Sequence, residues 1–168
     1  MSVEHDFDEV DAFAVGAIGE PGQRTFFLQI RRGATRVTVK CEKQQVAAIA
    51  EHLGRLLDDM PEATDRPIDS ALQLATPFDA AFVLGPVGLG IDRASDRLLV
   101  QLDEAVAVDE EGEPIDDEAH SAVRLFVTRG QAAAFCAHAT AVVAAGRPDC
   151  RWCGRPIDPD GHLCIRMN

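Results

Sequence analysis

The sequence predicts an α+β fold, and three observations lead to it. Apolar and polar residues alternate from Arg36 to Cys41, which is the period of a half-buried β-strand. After Glu42 the apolar spacing changes to three and four residues, which places Val46, Ile49 and Leu53 on one face of a helix. The same order of patterns then occurs a second time. With 168 residues, 46% of them hydrophobic, the chain can bury a core without disulfide bonds.

The second occurrence aligns with the first at a constant offset. Val37–His52 lies over Val123–His138, so that Gln45 meets Gln131 at the start of each helix. Each segment reads as three strands followed by a helix. This self-similarity predicts an internal duplication of a βββα unit.

One such unit would leave a sheet face and a helix face uncovered, so the two copies are expected to pack together. Residues 1–145 are predicted to form this duplicated domain, with copies at about 11–59 and 80–145. The expected architecture is a mainly antiparallel sheet with two helices on one face and a pseudo-two-fold axis between the copies. Pro61–Asp79 would be an ordered crossing segment with one helical turn, and 146–168 a separate tail.

The C-terminal tail carries a metal-ligand pattern. Cys150 and Cys153 stand three residues apart before a glycine, and His162 and Cys164 follow, two residues apart. Three thiolates and one imidazole make a complete tetrahedral set for zinc, with no position left for water. The spacing therefore predicts a structural zinc knuckle, the alternative being unligated or redox-active thiols. Turn-forming residues from Pro156 to Gly161 would bring the two ligand pairs together.

The chain is acidic, with 16 Lys and Arg against 28 Asp and Glu and a net charge of -12. That charge disfavours nucleic-acid and anionic-membrane partners. The tail differs, since it has four Arg and three Asp. No apolar stretch approaches the roughly 18 residues of a membrane span, and the odd number of cysteines suits a reducing compartment, so a cytoplasmic location is expected. His5 and His120 lie in acidic segments that are expected to be mobile, and neither is predicted to be catalytic.

Several side chains are candidate contacts for a partner or an anion. In the tail, Arg151 and Trp152 lie between the first two thiols, where side chains project outward, although Trp152 could instead pack on the domain. The first copy holds a local excess of positive charge. If these cations meet on the exposed sheet face they would bind a phosphate or an acidic partner; otherwise they form a solvated face. The main candidates there are Arg24, Arg31, Arg36 and Lys40.

Other reactive or charged residues have structural interpretations. Cys41 shares the inward period of its strand, and both Cys41 and Cys136 are predicted to be core residues, not nucleophiles. His52 and His138 recur at equivalent helix positions and are expected to be partly exposed side chains, the alternative being a paired acid–base role. The stretch Asp103–Glu118 has nine acidic residues and no basic one, which predicts a solvated acidic loop or, alternatively, a site for a metal or basic partner.

Three segments together resemble one known family. Pro21–Gln29, Glu42–Ala48 and the tail are similar to the actinobacterial DUF3090 proteins, and the likeness runs through nearly the whole chain. This chain has Ile165 where the family's tail usually has proline after its last cysteine. The family is uncharacterised, but its genes often lie beside those for a histidine-phosphatase-like protein and a protein resembling phosphoinositide kinases. The resemblance therefore implies a partner role in a phosphate-handling pathway.

The resemblance also draws attention to polar residues that a core does not require. These are Gln23, Arg24, Lys43, Gln44 and Gln45. Gln44 and Gln45 could equally cap the backbone at the start of the helix.

These patterns favour a non-enzymatic protein-interaction or adaptor protein with a structural zinc site, because a complete ligand set is present and no nucleophile–base pair is recognisable. The competing hypothesis is an enzyme or binding protein for a phosphorylated small molecule. The basic face of the first copy would bind this ligand through Arg24, Arg31, Arg36 and Lys43.

Overall fold

Two runs of three strands, each followed by a helix, make up most of the chain. The computed structural model describes residues 2–116, 118–146, 149–155, 157 and 161–166. In chain order the elements are β1 (Glu4–Phe7), β2 (Ala12–Ile18), β3 (Thr25–Arg32), β4 (Thr35–Cys41), α1 (Lys43–Asp58), a short 3-10 helix (Asp69–Ala71), β5 (Phe82–Asp92), β6 (Arg97–Glu104), β7 (Ala122–Val127) and α2 (Arg129–Ala144).

The strands form one sheet in the order β1-β7-β6-β5-β4-β3-β2. Neighbours are antiparallel except for the pairs β1–β7 and β4–β5, which are parallel. The predicted α+β fold with a mainly antiparallel sheet is therefore confirmed.

The parallel β4–β5 pair differs from the expected pseudo-two-fold arrangement. A two-fold axis normal to the sheet between the two runs would make these strands antiparallel. The pairs Val39↔Phe82 and Lys40↔Val83 instead run in the same direction. Strands β5, β6 and β7 therefore have the same directions as β2, β3 and β4 and lie beside them in the sheet. The internal duplication itself stays a prediction.

A single core lies between one sheet face and both helices. Alternate strand residues point into it, and ridges of apolar side chains on α1 and α2 cover them. The rings of Phe13 in β2 and Phe135 in α2 stack with centroids 4.1 Å apart. Both helices therefore cover the same sheet face, as the sequence predicts. Buried members of the core include Leu28, Val39, Leu53, Leu102, Leu125 and Ala132.

A glutamine fixes the start of each helix. The Gln45 side chain accepts a hydrogen bond from the Glu42 backbone amide at 2.9 Å, and its amide group donates to the Leu84 carbonyl at 3.1 Å. Gln131 accepts from the Thr128 amide at 3.0 Å and donates to the Val10 carbonyl at 2.8 Å. Each glutamine thus caps its own helix. Gln45 also ties α1 to β5, and Gln131 ties α2 to the loop before β2.

The crossing segment Pro61–Asp79 passes from the start of α2 to the opposite face of the sheet. Near its beginning the Asp65 carboxylate accepts a hydrogen bond from the Gly130 amide at 3.1 Å, and residues 70–77 lie over β3 and β4. The segment contains the predicted helical turn, which is the 3-10 helix.

The anchor of this segment is Gln29, whose fully buried side chain donates to the Ala75 carbonyl at 3.1 Å and accepts from the Ala75 amide at 2.8 Å. The Gln29 amide group also donates to the Thr38 hydroxyl at 3.1 Å. A buried polar group thus ties this segment to the sheet.

Replacing Gln29 with leucine is expected to loosen the crossing segment. The change leaves the buried Thr38 hydroxyl and the partly buried amide and carbonyl of Ala75 without their partner, and lowers the free energy of unfolding by about 1–3 kcal/mol. Urea denaturation measures the loss, and hydrogen exchange at the Ala75 amide should accelerate. Gln44→Leu is the matched control on an exposed site, with an expected change within about 0.5 kcal/mol. Equal stability of the two variants would contradict the anchoring role.

Residues 4–7 are ordered, so the expectation that the acidic segment around His5 is mobile is wrong. They form β1, which pairs with β7 from Glu4↔Ala122 to Phe7↔Leu125. Phe7 is buried in the core, which gives this short strand an apolar anchor. One buried aromatic residue and the ladder of β7 are enough to fix a segment whose composition is mostly acidic.

In the described part of the chain, neither helix has the length and apolar character required to cross a membrane.

Candidate functional site

The four predicted ligand residues of the tail lie together. The Sγ atoms of Cys150, Cys153 and Cys164 and the ring nitrogen of His162 all lie within 4.8 Å of one another. The Cys150 and Cys164 sulfurs are 3.8 Å apart, and the Cys153 sulfur is 3.3 Å from His162 Nε2. Cys150 and Cys164 are buried, and they are the two buried residues among the described residues of the tail. This cluster could hold a metal ion.

A tight turn presents the first two thiols to one point. The Gly154 amide donates to the Cys150 carbonyl at 2.8 Å, and the Cys150 amide donates to the Arg155 carbonyl at 2.8 Å. Gly154 has a φ of 72°, a left-handed conformation that glycine adopts without a steric penalty. The glycine after the second thiol is therefore a conformational requirement of the turn.

Part of the predicted linking turn cannot be compared with the structure, since Pro156 and residues 158–160 lie outside the described residues. Gly161, which precedes the second ligand pair, has a φ of 92°. It is thus a second position in the tail that favours glycine.

The backbone favours ionisation of the first thiol. Hydrogen bonds from the backbone amides of Cys153 and Trp152 lower the pKa of the Cys150 thiol. A thiolate is the form that binds metal, so the turn prepares Cys150 for coordination before any ion arrives.

Large apolar side chains next to the ligands are exposed. Trp152, between the first two cysteines, keeps 50% of its surface accessible, and Leu163, between His162 and Cys164, keeps 82%. Ile165 follows at 62%. The guanidinium of Arg151 lies 4.9 Å from the centre of the Trp152 ring. The two predicted contact residues of the tail therefore stack on each other and face solvent.

Three of the predicted basic contacts meet in one cavity of about 400 Å³ at the ends of β3 and β4. Arg24 reaches it from the turn before β3, Lys40 from β4 and Lys43 from the first position of α1. Gly146, which follows α2, lines the same cavity. Gly146 was not among the predicted contacts, because no local pattern in the sequence shows that the end of α2 adjoins the start of β3.

The other two basic candidates have different surroundings. Arg31 and Arg36 are cross-strand neighbours under the crossing segment. Arg31 donates to the Ser70 carbonyl at 2.8 Å, and Arg36 donates to the Pro77 carbonyl at 2.6 Å. Their guanidinium groups therefore bind backbone of the same chain and hold the crossing segment in place.

The thiols of Cys41 and Cys136 are poor nucleophiles; they are called the body thiols because they belong to residues 1–145, the body of the protein. Burial, reinforced by the charge of Glu42, raises the pKa of the Cys41 thiol to about 12. Burial also raises the pKa of the Cys136 thiol to about 11, and its Sγ donates to the Ala50 carbonyl at 3.3 Å. The prediction that Cys41 is a core residue is confirmed, since it is 3% exposed.

The two helix histidines have different environments. His52 is exposed on α1. His138 is half-buried, and its Nε2 lies 3.1 Å from the Val15 carbonyl oxygen. Equivalent positions along the sequence therefore do not give them the same environment.

Alkylation should separate the body thiols from ordinary ones. A raised pKa keeps Cys41 and Cys136 protonated at pH 8, so iodoacetamide should modify each of them at least about a hundred times more slowly in the folded chain than in urea. Mass spectrometry of tryptic peptides over a time course measures both rates. The urea-denatured chain with a chelator is the control, in which all five cysteines should react. Rapid native labelling of Cys41 would contradict its burial.

The acidic loop between β6 and β7 is exposed from residue 107 to residue 116. Asp109 organises its tip by accepting hydrogen bonds from the backbone amides of Glu111 and Glu113 at 3.0 and 2.9 Å. An isolated bridge joins Val108 and Pro114. In the described parts of the chain, the Cys150–Cys164 cluster is the one group of three or more His, Cys, Asp or Glu residues close enough to hold a metal ion.

The sheet, the two helices and the tail cluster define an α+β protein with a possible Cys3His metal site. Residues 5–164 match the family model described as "Protein of unknown function (DUF3090)", and the chain belongs to this family. Comparison with curated proteins and with solved structures gave no significant match.

Proposed function

We propose that this protein is a non-enzymatic interaction protein whose tail is folded by a structural zinc ion and binds a protein partner. The observation that carries the proposal is the gathering of three thiols and one imidazole beneath exposed apolar side chains. The domain division at about residue 145, with residues 146–168 as the zinc-binding tail, is part of the same proposal.

The spacing of the ligand atoms supports zinc. A tetrahedral zinc ion with Zn–S bonds of about 2.3 Å sets its sulfurs about 3.8 Å apart. The Cys150 and Cys164 sulfurs are separated by 3.8 Å. Three thiolates and an imidazole are a donor set typical of structural zinc.

The completeness of the ligand set supports a structural role. Catalytic zinc keeps one coordination position for water or substrate, whereas four protein ligands fill a tetrahedron. The tail lacks enough apolar residues for a core, so coordination would supply much of the free energy that folds it. The body thiols add no nucleophile, because burial holds the pKa of Cys41 and Cys136 well above neutrality.

The exposed side chains support protein binding. Trp152, Leu163 and Ile165 are all neighbours of metal ligands in the sequence, so a rigid metal centre would fix their backbone. Pre-organised aromatic and aliphatic anchors contribute most to protein interfaces. The tail is also the positively charged part of an acidic chain, which favours a partner whose apolar pocket has an acidic rim.

A comparison of captured proteins tests this role. Zinc-loaded full-length protein and its Trp152→Ser variant are used as baits in the same native lysate, with Ile68→Ser as the control. Ile68 is 72% exposed and lies in the crossing segment. A stoichiometric partner should be captured by the wild type and by the control, and at least about tenfold less by Trp152→Ser with unchanged zinc content. Equal capture by both variants, or no stoichiometric partner, would contradict the proposal.

A further inference from the structure

We infer that the cavity formed by Arg24, Lys40 and Lys43 is a binding site for the phosphate group of a phosphorylated small molecule. The inference is independent of the metal centre and of the partner proposed for the tail. It depends on the convergence of positive charge from separate elements on one concave surface.

The cations are brought together by tertiary structure. The turn before β3, strand β4 and the start of α1 contribute one each, and Gly146, two residues after the end of α2, closes the rim. Gathering like charges is unfavourable unless an anion offsets it. Glu42 is the one carboxylate among the residues that line the cavity. Among the described residues, none of the three cations forms an ion pair, although the chain carries a net charge of -12.

Arg24 is held in a defined orientation. Its Nη1 donates to the Val142 carbonyl at 2.9 Å, and its guanidinium lies 4.9 Å from the centre of the Phe26 ring. A guanidinium has five N–H groups, so donors remain for a ligand. A planar guanidinium that is already fixed suits a phosphate, because little side-chain entropy is lost on binding.

Gly146 leaves room where two of the cations converge. A β-carbon built on Gly146 would lie 3.1 Å from Arg24 Nη2 and 3.5 Å from Lys43 Nζ. Both charged groups therefore face the same small volume, and the absence of a side chain keeps it open.

Charge and size select the ligand class. Three cations and one carboxylate suit a phosphate monoester dianion better than a single carboxylate. A cavity of about 400 Å³ accommodates a phosphate together with a small organic group. A nucleic acid would bring many more phosphates against an acidic surface, which the net charge disfavours.

Binding by variants of the folded, zinc-loaded chain tests the site. Isothermal titration with inorganic phosphate, glycerol phosphate and a sugar phosphate should give saturable binding that weakens as salt is raised. Lys43→Gln and Arg24→Gln should each weaken that binding at least about tenfold. Gly146→Ala should also weaken it without removing a charge. Arg93→Gln, at an exposed site in the β5–β6 turn, is the control and should bind like the wild type.

Lys43→Gln also separates loss of binding from loss of folding. A lysine in the first turn of a helix opposes the helix dipole, so this variant should melt at the same temperature as the wild type or higher when no ligand is present. Weaker binding by a protein of equal or greater stability supports the site. The inference would be overturned if none of the three phosphates showed saturable binding at concentrations up to about 10 mM. It would also be overturned if Lys43→Gln bound them as tightly as the wild type. Tighter binding of a phosphoserine peptide than of the sugar phosphate would overturn the small-molecule assignment.

Discussion

Replacing Cys164 with serine is expected to release the metal ion and unfold the tail while the body stays folded. Wild-type protein should contain about one zinc ion per chain, and the variant should lose most of it, because structural zinc supplies about 10–16 kcal/mol of apparent binding free energy in small metal-folded modules. Elemental analysis measures the metal. The core of the body has no contribution from this thiol, so its far-UV circular dichroism should persist.

The single tryptophan makes this experiment specific to the tail. The chain has one Trp and no Tyr, and Trp152 lies between two of the ligands, so intrinsic tryptophan emission reports on the metal centre alone. Loss of zinc should change that emission and free the backbone at Arg151, so that trypsin cleaves the Arg151–Trp152 bond faster. Cys136→Ser is the matched control, since Cys136 lies outside the cluster and a serine hydroxyl can still donate to the Ala50 carbonyl. Full zinc content in Cys164→Ser, or none in the wild type, would contradict the metal site.

Replacing Phe135 with alanine should cost the body a large share of its stability. The Phe135 ring is fully buried and stacks on Phe13 with an interplanar angle of 4°. Removing a buried phenylalanine lowers the free energy of unfolding by about 3–5 kcal/mol, whereas a whole domain has only about 5–15 kcal/mol.

Urea denaturation followed by circular dichroism measures this loss. Ile68→Ala, on a residue that is 72% exposed, is the control and should change stability by no more than about 0.5 kcal/mol. Phe135→Ala should still contain its zinc, because the metal centre does not depend on the stacked rings of Phe13 and Phe135. A loss below about 1 kcal/mol for Phe135→Ala would show that α2 does not complete the core as described.

Local patterns predicted the parts of the molecule that depend on neighbours in the sequence. The four ligand residues lie within fifteen positions of one another, and their spacing alone identifies the cluster. Strand alternation and helix periodicity predicted the sheet face and helix faces that form the core, because burial imposes those periods directly. Gln45 was correctly considered as a capping residue, since its position three residues after Glu42 is a local signature.

Features that depend on contacts between residues far apart in the chain could not be predicted from local sequence patterns. The bond from Arg24 to Val142 joins residues 118 positions apart, and no periodicity predicts that these chain segments adjoin. The parallel direction of β4 and β5 depends on how Pro61–Asp79 crosses the sheet, and a segment of that length permits either direction. Arg31 and Arg36 resembled free cations in the sequence because their acceptors are carbonyls, which every residue carries.

The pairing of β1 with β7 has a consequence for the order of events on the ribosome. Residues 4–7 are synthesised more than a hundred residues before their partners, Ala122 to Leu125. Until then the early segment has no hydrogen-bonding neighbour in the sheet, and Phe7 has no completed core to enter. The β1 strand therefore stays unpaired until residues 122–125 have been synthesised, and this edge of the sheet is completed only after the other strands are available.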